Sequence, residues 1–221
     1  MAFNSPFIII GAGGHAGVVL DLLLEQGADV LFLTDTDAGR HNNVVLGVPI
    51  AGDDARIDDY TPDMVSLAMG LGISGRGHEL MANTHRRLCI ARDFAKRGHR
   101  FPPLIHSAAS IGRNVTLGDG AQVMAGAVVQ PNCRIGAHAI INTGATIDHD
   151  SSVGDGTHVA PGATLCGRIA IGDASYIGAG ATVVNNRTLG NRVFVTAGTV
   201  VSANAADDSR LSGSPTKAGP E

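Results

Sequence analysis

The sequence predicts an α/β domain of about 100 residues followed by a solenoid of short β-strands. Three observations lead to this fold class. Apolar runs alternate with segments of helical periodicity over the first 103 residues or so. From Ile105 onward an aliphatic residue recurs every six positions. Glycine makes up 30 of the 221 residues, about twice its usual share, which indicates many tight turns.

The six-residue period is the strongest signal in the chain. The aliphatic series is unbroken over seventeen positions: Ile105, Ile111, Leu117, Val123, Val129, Ile135, Ile141, Ile147, Val153, Val159, Leu165, Ile171, Ile177, Val183, Leu189, Val195 and Val201. A small residue often stands two places before the aliphatic one, and glycine often follows it. A period of six fits neither a helix nor an alternating strand. It fits a short strand and a tight turn repeated around a prism.

The front half has the order of a small parallel α/β domain. Residues 7–10 (FIII) form an apolar run, and the glycine-rich turn 11–17 leads from it into a segment with helical spacing. Further apolar runs cover Val30–Leu33 and Val65–Met69, and residues 76–97 read as a helix. Strands that alternate with helices predict a parallel sheet.

The glycine turn matches the pattern G-x-G-x-x-G/A. Gly11, Gly13 and Ala16 fall in register, and Asp35 follows the second strand at a distance suited to a ribose hydroxyl. Backbone N–H groups at a helix N-terminus stabilise a phosphate when no side chain obstructs them. The alternative is that these glycines only allow the helix to pack closely on the strand. A second nucleotide-binding half has no room before Ile105, so a mononucleotide fits better than NAD.

Composition and charge exclude several function classes. The formal net charge is −4, which argues against a nucleic-acid or anionic-membrane surface as the main partner. No apolar run of about 18 residues predicts a membrane span, and the N-terminus lacks a basic segment typical of a secretory signal, so we expect a cytoplasmic protein. The three cysteines are widely spaced and predict reduced thiols.

These features together resemble a known enzyme family. The residues that carry the resemblance are GAGGHAGVV (11–19), Asp35 and Asp37, LAMG (67–70), LIHSAASIG (104–112), INTGATIDHDSSVGDGTHVAPGATLCG (141–167), IGAGATV (177–183) and GSPTK (213–217). They are similar to those of bacterial nucleotide-sugar N-acetyltransferases, which act on UDP-4-amino-sugars or GDP-perosamine and have sialic acid O-acetyltransferases as relatives. The resemblance implies a Rossmann-like N-terminal domain followed by a left-handed parallel β-helix of hexapeptide repeats, with three hexapeptides in each coil of 18 residues.

The resemblance also implies a domain organisation and an assembly. Residues 1–103 would bind the nucleotide sugar, residues 104–202 would form the acetyltransferase β-helix, and residues 203–221 would be a C-terminal loop and tail, disordered beyond GSPTK. Acetyl-CoA would be the co-substrate and no metal would be needed. The family assembles as homotrimers with sites between adjacent subunits, and its pathway is bacterial surface glycan synthesis. The acetyl group would be transferred to the amino group of the bound sugar.

Three residues are the candidates for catalysis. His149 resembles the family's catalytic histidine, and imidazole is suited to remove the proton from a sugar amine as that amine attacks a thioester. Asp150 would accept a hydrogen bond from the far ring nitrogen and fix the tautomer, or it would instead form a surface ion pair with Arg168 one coil later. Asn142 matches the family residue near the sugar amine, although an asparagine here could equally stack in a structural ladder.

The resemblance assigns the remaining site residues to two ligands. The positions expected to meet acetyl-CoA are His158, Gly167, Ala179 and Gly180. His158 would donate to the thioester or, alternatively, only cap a turn. The positions expected to meet the nucleotide sugar are Gly11, Gly13, Gly14, His15, Asp35 and Gly70. The sequence does not identify the sugar or the base.

Three alternatives differ in class. A γ-type carbonic anhydrase uses the same repeat, but it needs a pair of histidines five apart and a third about 36 away, whereas His138, His149 and His158 are spaced 11 and 9. A sialic acid or other sugar O-acetyltransferase would share both domains and differ in its acceptor. An inactive nucleotide-binding scaffold would keep the glycine turn without turnover, which the Asp-His-Asp triplet at 148–150 argues against.

Overall fold

A computed structural model of the chain describes residues 3–73 and 78–213. The N-terminal part contains a five-stranded sheet in the order β3-β4-β2-β1-β5. Its strands are β1 (Phe7–Ile10), β2 (Val30–Thr34), β3 (Val44–Val45), β4 (Val48–Gly52) and β5 (Ser66–Met69). The three pairings among β4, β2, β1 and β5 are parallel, and the short β3 pairs antiparallel to β4 at the edge.

Helices cover both faces of this sheet. Helix α1 (Gly14–Glu25) packs on the face that carries Phe7 and Ile9, while α2 (His78–Lys96) packs on the face that carries Ile8 and Ile10. Successive side chains of a strand point to opposite faces, so β1, buried on both, is apolar throughout. Two short 3₁₀ helices, Ala38–Arg40 and Asp54–Asp59, complete the domain.

The expected α/β domain is confirmed, with one addition and one different boundary. The pair β3 and β4 was not among the expected strands, because its apolar residues are interrupted by Gly47 and Pro49. The helix expected over residues 76–97 is described as His78–Lys96, and residues 74–77 lie outside the described ranges.

The second part is the expected left-handed β-helix. Its two-residue strands, β6 to β23, are Leu104–Ile105, Ser110–Ile111, Thr116–Leu117, Gln122–Val123, Val128–Val129, Arg134–Ile135, Ile140–Ile141, Thr146–Ile147, Ser152–Val153, His158–Val159, Thr164–Leu165, Ala170–Ile171, Tyr176–Ile177, Thr182–Val183, Thr188–Leu189, Phe194–Val195, Val200–Val201 and Arg210–Leu211. From β6 to β19 each strand pairs in parallel with the strand 18 residues later. Three hexapeptides therefore form one coil.

The strands build three faces of a triangular prism. We call them the first face (β6, β9, β12, β15, β18, β21, β23), the second face (β7, β10, β13, β16, β19, β22) and the third face (β8, β11, β14, β17, β20). From β6 to β22 the second residue of each strand is the aliphatic residue of the six-residue series, and it points into the prism. From Val123 to Val201 these residues are at most 4% exposed, so the sequence period is the period of the core.

The β-helix continues past residue 202, where we expected it to end. The last strand, Arg210–Leu211, pairs with Phe194–Val195, and this final coil is 16 residues long instead of 18. The six-residue series fails after Val201 because the coil is shorter by two residues. Residues 214–221, which include most of the GSPTK segment and the expected disordered tail, lie outside the described residues.

The N-terminal domain sits on the first face of the β-helix. Leu104 and Met124 belong to the same apolar cluster as β1 and α1. The outward residues Gln122, Ile140 and His158 are 1%, 0% and 6% exposed, although outward positions elsewhere on the prism are mostly accessible. This contact brings the glycine turn of the first domain against the β-helix, and it positions the site described next.

Candidate active site

His149 and Asp150 form a hydrogen-bonded pair at one corner of the prism. Nδ1 of His149 lies 2.7 Å from Oδ2 of Asp150, and both side chains are about half exposed. Asn132, one coil earlier, donates from Nδ2 to Oδ1 of Asp150 at 3.0 Å. The hydrogen bonds from His149 and Asn132 hold the pKa of the Asp150 carboxyl below its usual value, so Asp150 is a carboxylate that accepts from the imidazole.

Gly167 provides the space that the His149 ring occupies. It stands one coil after His149, and a Cβ added at Gly167 would lie 2.9 Å from Nε2 and 3.0 Å from Cε1 of His149. Any other residue at this position would push the ring away. The contact of Gly167 with acetyl-CoA stays a prediction, and the structure shows a different role, in which its missing side chain leaves space for the imidazole.

The corner that carries this pair lies between the second and third faces, and we call it the polar corner. In each coil its turn residue has a positive φ, between 59° and 64°: Asn114, Asn132, Asp150, Arg168 and Asn186. Nε of Arg168 donates to Oδ1 of Asn186 at 3.1 Å. Arg168 is thus directed to the next coil, and the hydrogen-bond partners of Asp150 are His149 and Asn132.

The corner between the first and second faces has a different composition. Its positive-φ residues are Gly126, Gly144, Gly162, Gly180 and Gly198, and we call it the glycine corner. Around the last four of these glycines no atom lies within 4 Å of the position that a Cβ would take. Ala179 and Gly180, two of the expected acetyl-CoA positions, belong to this corner and are exposed. The corner is a smooth ridge of backbone open to a ligand.

Asn142 and His158 form a second hydrogen-bonded pair beside the glycine corner. Oδ1 of Asn142 accepts from the N–H of Thr143 at 2.8 Å, so Nδ2 faces Nε2 of His158 at 3.0 Å and donates to it. Burial lowers the pKa of His158 to about 3, which keeps its ring neutral with the proton on Nδ1. Within the described ranges Nδ1 of His158 has no hydrogen-bond partner.

A cleft of about 380 Å³ joins this pair to the N-terminal domain. Its lining consists of Gly13, Gly14, His15, Gly70, Leu71, Gly72, Ile73, Asn142 and His158. Four of the six residues expected to meet the nucleotide sugar therefore share one cleft with Asn142 and His158. The sequence could not show this proximity, because it depends on how the first domain rests on the β-helix.

The wall formed by the glycine turn is open to a ligand. No atom lies within 4 Å of the positions for a Cβ on Gly13 or Gly14. Helix α1 begins at Gly14 with no side-chain cap, so its first N–H groups are free for a phosphate. Gly70 instead allows the helix to pack closely on the strands. A Cβ at Gly70 would lie 2.6 Å from Ile9 and 2.8 Å from Ala16.

Gly11 and Asp35 do not line the cleft. The N–H of Gly11 donates to Oγ1 of Thr34, and its φ of 91° forms the turn. The carboxylate of Asp35, expected near a ribose hydroxyl, pairs with Nη1 of Arg40 at 2.7 Å and accepts from the N–H of Asp37. Arg40 also donates to the carbonyl of Ala12, so Asp35 holds a cation against the glycine turn.

Sequence reasoning missed two residues that shape the site. Gln122 bonds both His15 and the carbonyl of Met69 across the domain contact. Its position in the repeat marks it as outward-facing, and nothing in the sequence shows that the first domain covers this face. Arg40 is the other; an arginine five residues after Asp35 was a usable signal for an ion pair.

The structure separates the expected site residues into two groups. His149, Asp150 and Gly167 stand at the polar corner, while Asn142, His158, Ala179 and Gly180 stand at or beside the glycine corner. The second face lies between the two corners. The His149 pair and the cleft therefore belong to opposite edges of one face in a single chain.

Metal and membrane binding were considered for residues 3–73 and 78–213 because these are the described ranges. No group of three or more His, Cys, Asp or Glu side chains in these ranges is arranged to hold a metal ion. Neither helix of these ranges is sufficiently long and apolar to cross a membrane.

Models of known protein families match both the N-terminal domain and the β-helix. A family model for the PglD N-terminal domain matches residues 6–76, and a model for the bacterial transferase hexapeptide (six repeats) matches residues 108–143. A comparison with curated protein sequences finds no match.

Solved structures match nearly the whole chain. The acetyltransferase domain of PglB from Neisseria gonorrhoeae FA1090, in complex with acetyl coenzyme A, is 32% identical with a TM-score of 0.85, over 97% of this chain and 99% of that chain. PerB from Caulobacter crescentus, in complex with CoA and GDP-perosamine, is 33% identical with a TM-score of 0.84, over 97% of each chain. WeeI from Acinetobacter baumannii AYE shares the fold at 22% identity, with a TM-score of 0.82 over 96% of this chain and 98% of that chain. The chain is therefore an acetyltransferase, and it belongs to the nucleotide-sugar N-acetyltransferases of the hexapeptide-repeat family.

Proposed function

We propose that this enzyme transfers the acetyl group of acetyl-CoA to the amino group of a nucleotide-linked amino sugar. The main support for the proposal is the hydrogen-bonded pair of His149 and Asp150 at the polar corner, where the His149 ring lies against Gly167. Relatives at 32% and 33% identity bind acetyl coenzyme A, or CoA with GDP-perosamine. The cytoplasm and bacterial surface glycan synthesis are the setting that follows from the family resemblance.

His149 acts as the general base in this proposal. Nδ1 of the ring donates to the Asp150 carboxylate, which leaves Nε2 with a lone pair on the side of Gly167. As the sugar nitrogen forms a bond to the thioester carbonyl carbon, Nε2 takes a proton from that nitrogen. The tetrahedral intermediate then collapses, the C–S bond breaks, and the CoA sulfur leaves with the proton that His149 took from the nitrogen. Attack is direct, so no acyl-enzyme forms.

The nucleotide sugar binds in the cleft of the N-terminal domain. Its phosphates lie at the open N–H groups of Gly14 and the first turn of α1, where the helix dipole favours an anion. Asn142 and His158 line the far wall of the cleft. Asn142 contacts the sugar near its amine, and His158 stands beside the acetyl group of acetyl-CoA.

The separation of the two corners supports a site completed by a second copy of the chain. If three copies turn their second faces toward a common three-fold axis, the polar corner of one copy stands beside the glycine corner of the next. The outward side chains of this face are small and uncharged: Ser110, Val128, Thr146, Thr164, Thr182 and Val200. A surface without charges is typical of an interface core. His149 would then reach the cleft of its neighbour.

The function is tested by measuring thiol release from acetyl-CoA with a panel of acceptors. The panel contains UDP-4-amino-sugars, GDP-perosamine, sialic acid in free and CMP-linked form, and buffer alone. Turnover with a nucleotide amino sugar is the expected result and identifies the acceptor. Turnover only with sialic acid would replace the proposal with O-acetylation, and absence of both turnover and acetyl-CoA binding would indicate a scaffold.

The shared site is tested by mixing two inactive variants. His149→Ala lacks the base and Asn142→Ala lacks the cleft residue, and each variant alone is expected to be nearly inactive. In randomly mixed trimers about a quarter of the intersubunit sites would combine an intact His149 with an intact Asn142, so about a quarter of the wild-type rate should return. Mixtures without recovered activity would mean that each chain carries a complete site.

A further inference from the structure

Gln122 is a buried polar side chain that belongs neither to the His149–Asp150 pair nor to the lining of the cleft. It stands on β9 of the first face and is 1% exposed. Its Nε2 donates to the carbonyl of Met69 at 2.8 Å, and its Oε1 lies 2.8 Å from Nε2 of His15. Met69 ends β5, and His15 lies in the first turn of α1. One amide thus ties both walls of the cleft to the β-helix.

The two contacts fix the orientation of this amide. If the amide were turned over, Oε1 would face the carbonyl oxygen of Met69, and two acceptors would meet in a buried place. Oε1 therefore faces His15, and an amide oxygen only accepts hydrogen bonds. Nε2 of His15 must consequently be the donor in this contact.

The protonation of the His15 ring follows from this contact and from burial. Burial lowers the pKa of His15 to about 4, so the ring is neutral near pH 7 and carries one proton. Gln122 holds that proton on Nε2. Nδ1 of His15 is therefore left with a lone pair and accepts hydrogen bonds.

The ring is also restrained from its other side. A Cβ at Gly72 would lie 2.7 Å from Cβ of His15, which shows how closely the loop after β5 approaches. His15 lines the cleft between this loop and Gly14, and it is partly exposed there. The cleft thus presents a fixed acceptor beside the open N–H groups of the helix.

We propose that Gln122 is a positioning residue that holds His15 as a hydrogen-bond acceptor, and that His15 recognises a hydroxyl group of the nucleotide-sugar substrate. The identity of the ligand rests on the proposed function. An ionised phosphate has no proton to donate, so it does not bind Nδ1 of His15 and is left to the N–H groups of the glycine turn. A hydroxyl of the ribose or of the sugar donates to His15. The two neighbouring parts of the wall therefore select different groups of one substrate.

The variant Gln122→Met tests the positioning role. Methionine is similar in size and removes both hydrogen bonds, so the ring of His15 loses its fixed tautomer. We expect KM for the nucleotide sugar to rise about tenfold, while kcat and KM for acetyl-CoA stay within about twofold. The control is Ile140→Met, at the paired position on the neighbouring strand and equally buried, which alters packing at the domain contact alone. An unchanged KM in folded Gln122→Met would overturn the proposal.

A spectroscopic measurement tests the tautomer without a functional assay. In wild-type protein with ¹⁵N-labelled histidine, the His15 ring is expected to show the Nε2–H tautomer, assigned by comparison with a His15→Asn spectrum. The Nδ1–H tautomer in the wild type would overturn the positioning role even if Gln122→Met failed to fold. If no acceptor of the panel is turned over, the proposed function fails, but this spectrum still decides the role of Gln122.

Deoxy substrates identify the hydroxyl. One set lacks a ribose hydroxyl and the other lacks a hydroxyl of the sugar. The analogue that lacks the hydroxyl bound by His15 should have a higher KM than the full substrate in the wild type. In Gln122→Met its KM should not rise further. If KM for every analogue still differs between the wild type and Gln122→Met as much as KM for the full substrate does, His15 does not recognise a hydroxyl.

Discussion

The polar corner and the glycine corner of the β-helix have the same backbone and opposite chemistry. Both turn with one residue of positive φ in each coil, near 60° at the polar corner and near 66° at the glycine corner. At the polar corner asparagine, aspartate and arginine occupy these positions and bond along the stack. At the glycine corner the same positions carry no side chain, and the ridge is open.

This difference shows how a repetitive fold acquires a site. The turn geometry requires a residue that tolerates positive φ, which glycine does freely and asparagine or aspartate do at modest cost. Either choice closes the turn, so the choice is free to serve function. Side chains at one corner hold His149, the proposed base, against Gly167, and their absence at the other leaves room for a ligand. In the proposed trimer, these two corners face each other.

The largest expected effect comes from removing the base at the polar corner. His149→Ala should lower kcat about 1000-fold, because the sugar amine would then lose its proton without a positioned acceptor. The measurement is steady-state thiol release at saturating acetyl-CoA. The control is Asn186→Ala, at the same corner and two coils away from Asp150, which should retain nearly full activity. A His149→Ala enzyme that kept most of its kcat would rule out this base.

A smaller loss is expected from adding one methyl group beside that base. Gly167→Ala would place a Cβ 2.9 Å from Nε2 of His149, and the ring would have to turn away. A misplaced base of this kind should lower kcat about 100-fold without unfolding the protein. Asn185→Ala, the equivalent position in the next coil, is the control. Wild-type turnover by Gly167→Ala would mean that the ring position is not critical.

The third effect separates the two interpretations of Asp150. If Asp150 orients His149, Asp150→Asn should lower kcat about tenfold and Arg168→Met should leave it unchanged. If Asp150 serves only an ion pair with Arg168, both variants should act alike and affect stability alone. The contacts favour the first outcome, because Asp150 bonds His149 while Arg168 bonds Asn186. The rates and the melting temperatures of both variants decide between them.

A side chain added at the glycine corner tests whether its open ridge binds a ligand. Gly180→Asn keeps a residue that tolerates a φ of 64°, so the turn should survive. The added side chain would stand on the open ridge where acetyl-CoA is proposed to lie, and KM for acetyl-CoA should rise about fivefold. Gly126→Asn makes the same change three coils earlier on the ridge. Equal effects of the two substitutions would mean that the ridge is not a binding surface.

The sequence predicted what depends on local spacing. The six-residue series places every core residue of the prism from Val123 to Val201, since each coil repeats one backbone pattern. The apolar run of β1 and the turn after it also follow from local preferences. The final coil departs from the period, and there the predicted end of the domain at residue 202 differs from the structure.

The candidate site was less accessible from the sequence, because its parts are distant along the chain. Gln122 reads as an outward residue of the repeat, and only the docked first domain makes it a buried partner of His15, 107 positions away. That Asp35 meets a ribose stays a prediction, and its partner within the chain, Arg40, depends on the local path of a 3₁₀ helix. The sequence proposes which residues have suitable chemistry, and tertiary contacts decide which of them meet.

The smallest effect on activity is expected at the third corner of the prism, between the third and first faces. Changes there should act mainly on stability. There the turn residue His138 has a φ of 56° and is 4% exposed beneath α2, whose Arg87 donates to the carbonyl of His138. Burial lowers the pKa of His138 and that of His15 to about 4, and that of His158 to about 3. These values all lie below that of an unfolded histidine, near 6.5, so from pH 6.5 down to 4 the unfolded chain binds more protons than the folded one.

Stability should therefore fall as the pH is lowered through this range. By pH 5 each buried histidine should cost about 2 kcal/mol of unfolding free energy relative to pH 7.5, and urea unfolding at the two pH values measures the sum. His138→Asn preserves positive φ and should remove about a third of the difference, and His85→Asn, exposed on α2, is the control. If His138→Asn left the pH dependence unchanged, the third corner would be solvated in solution, and it would resemble the polar corner more than a buried domain contact.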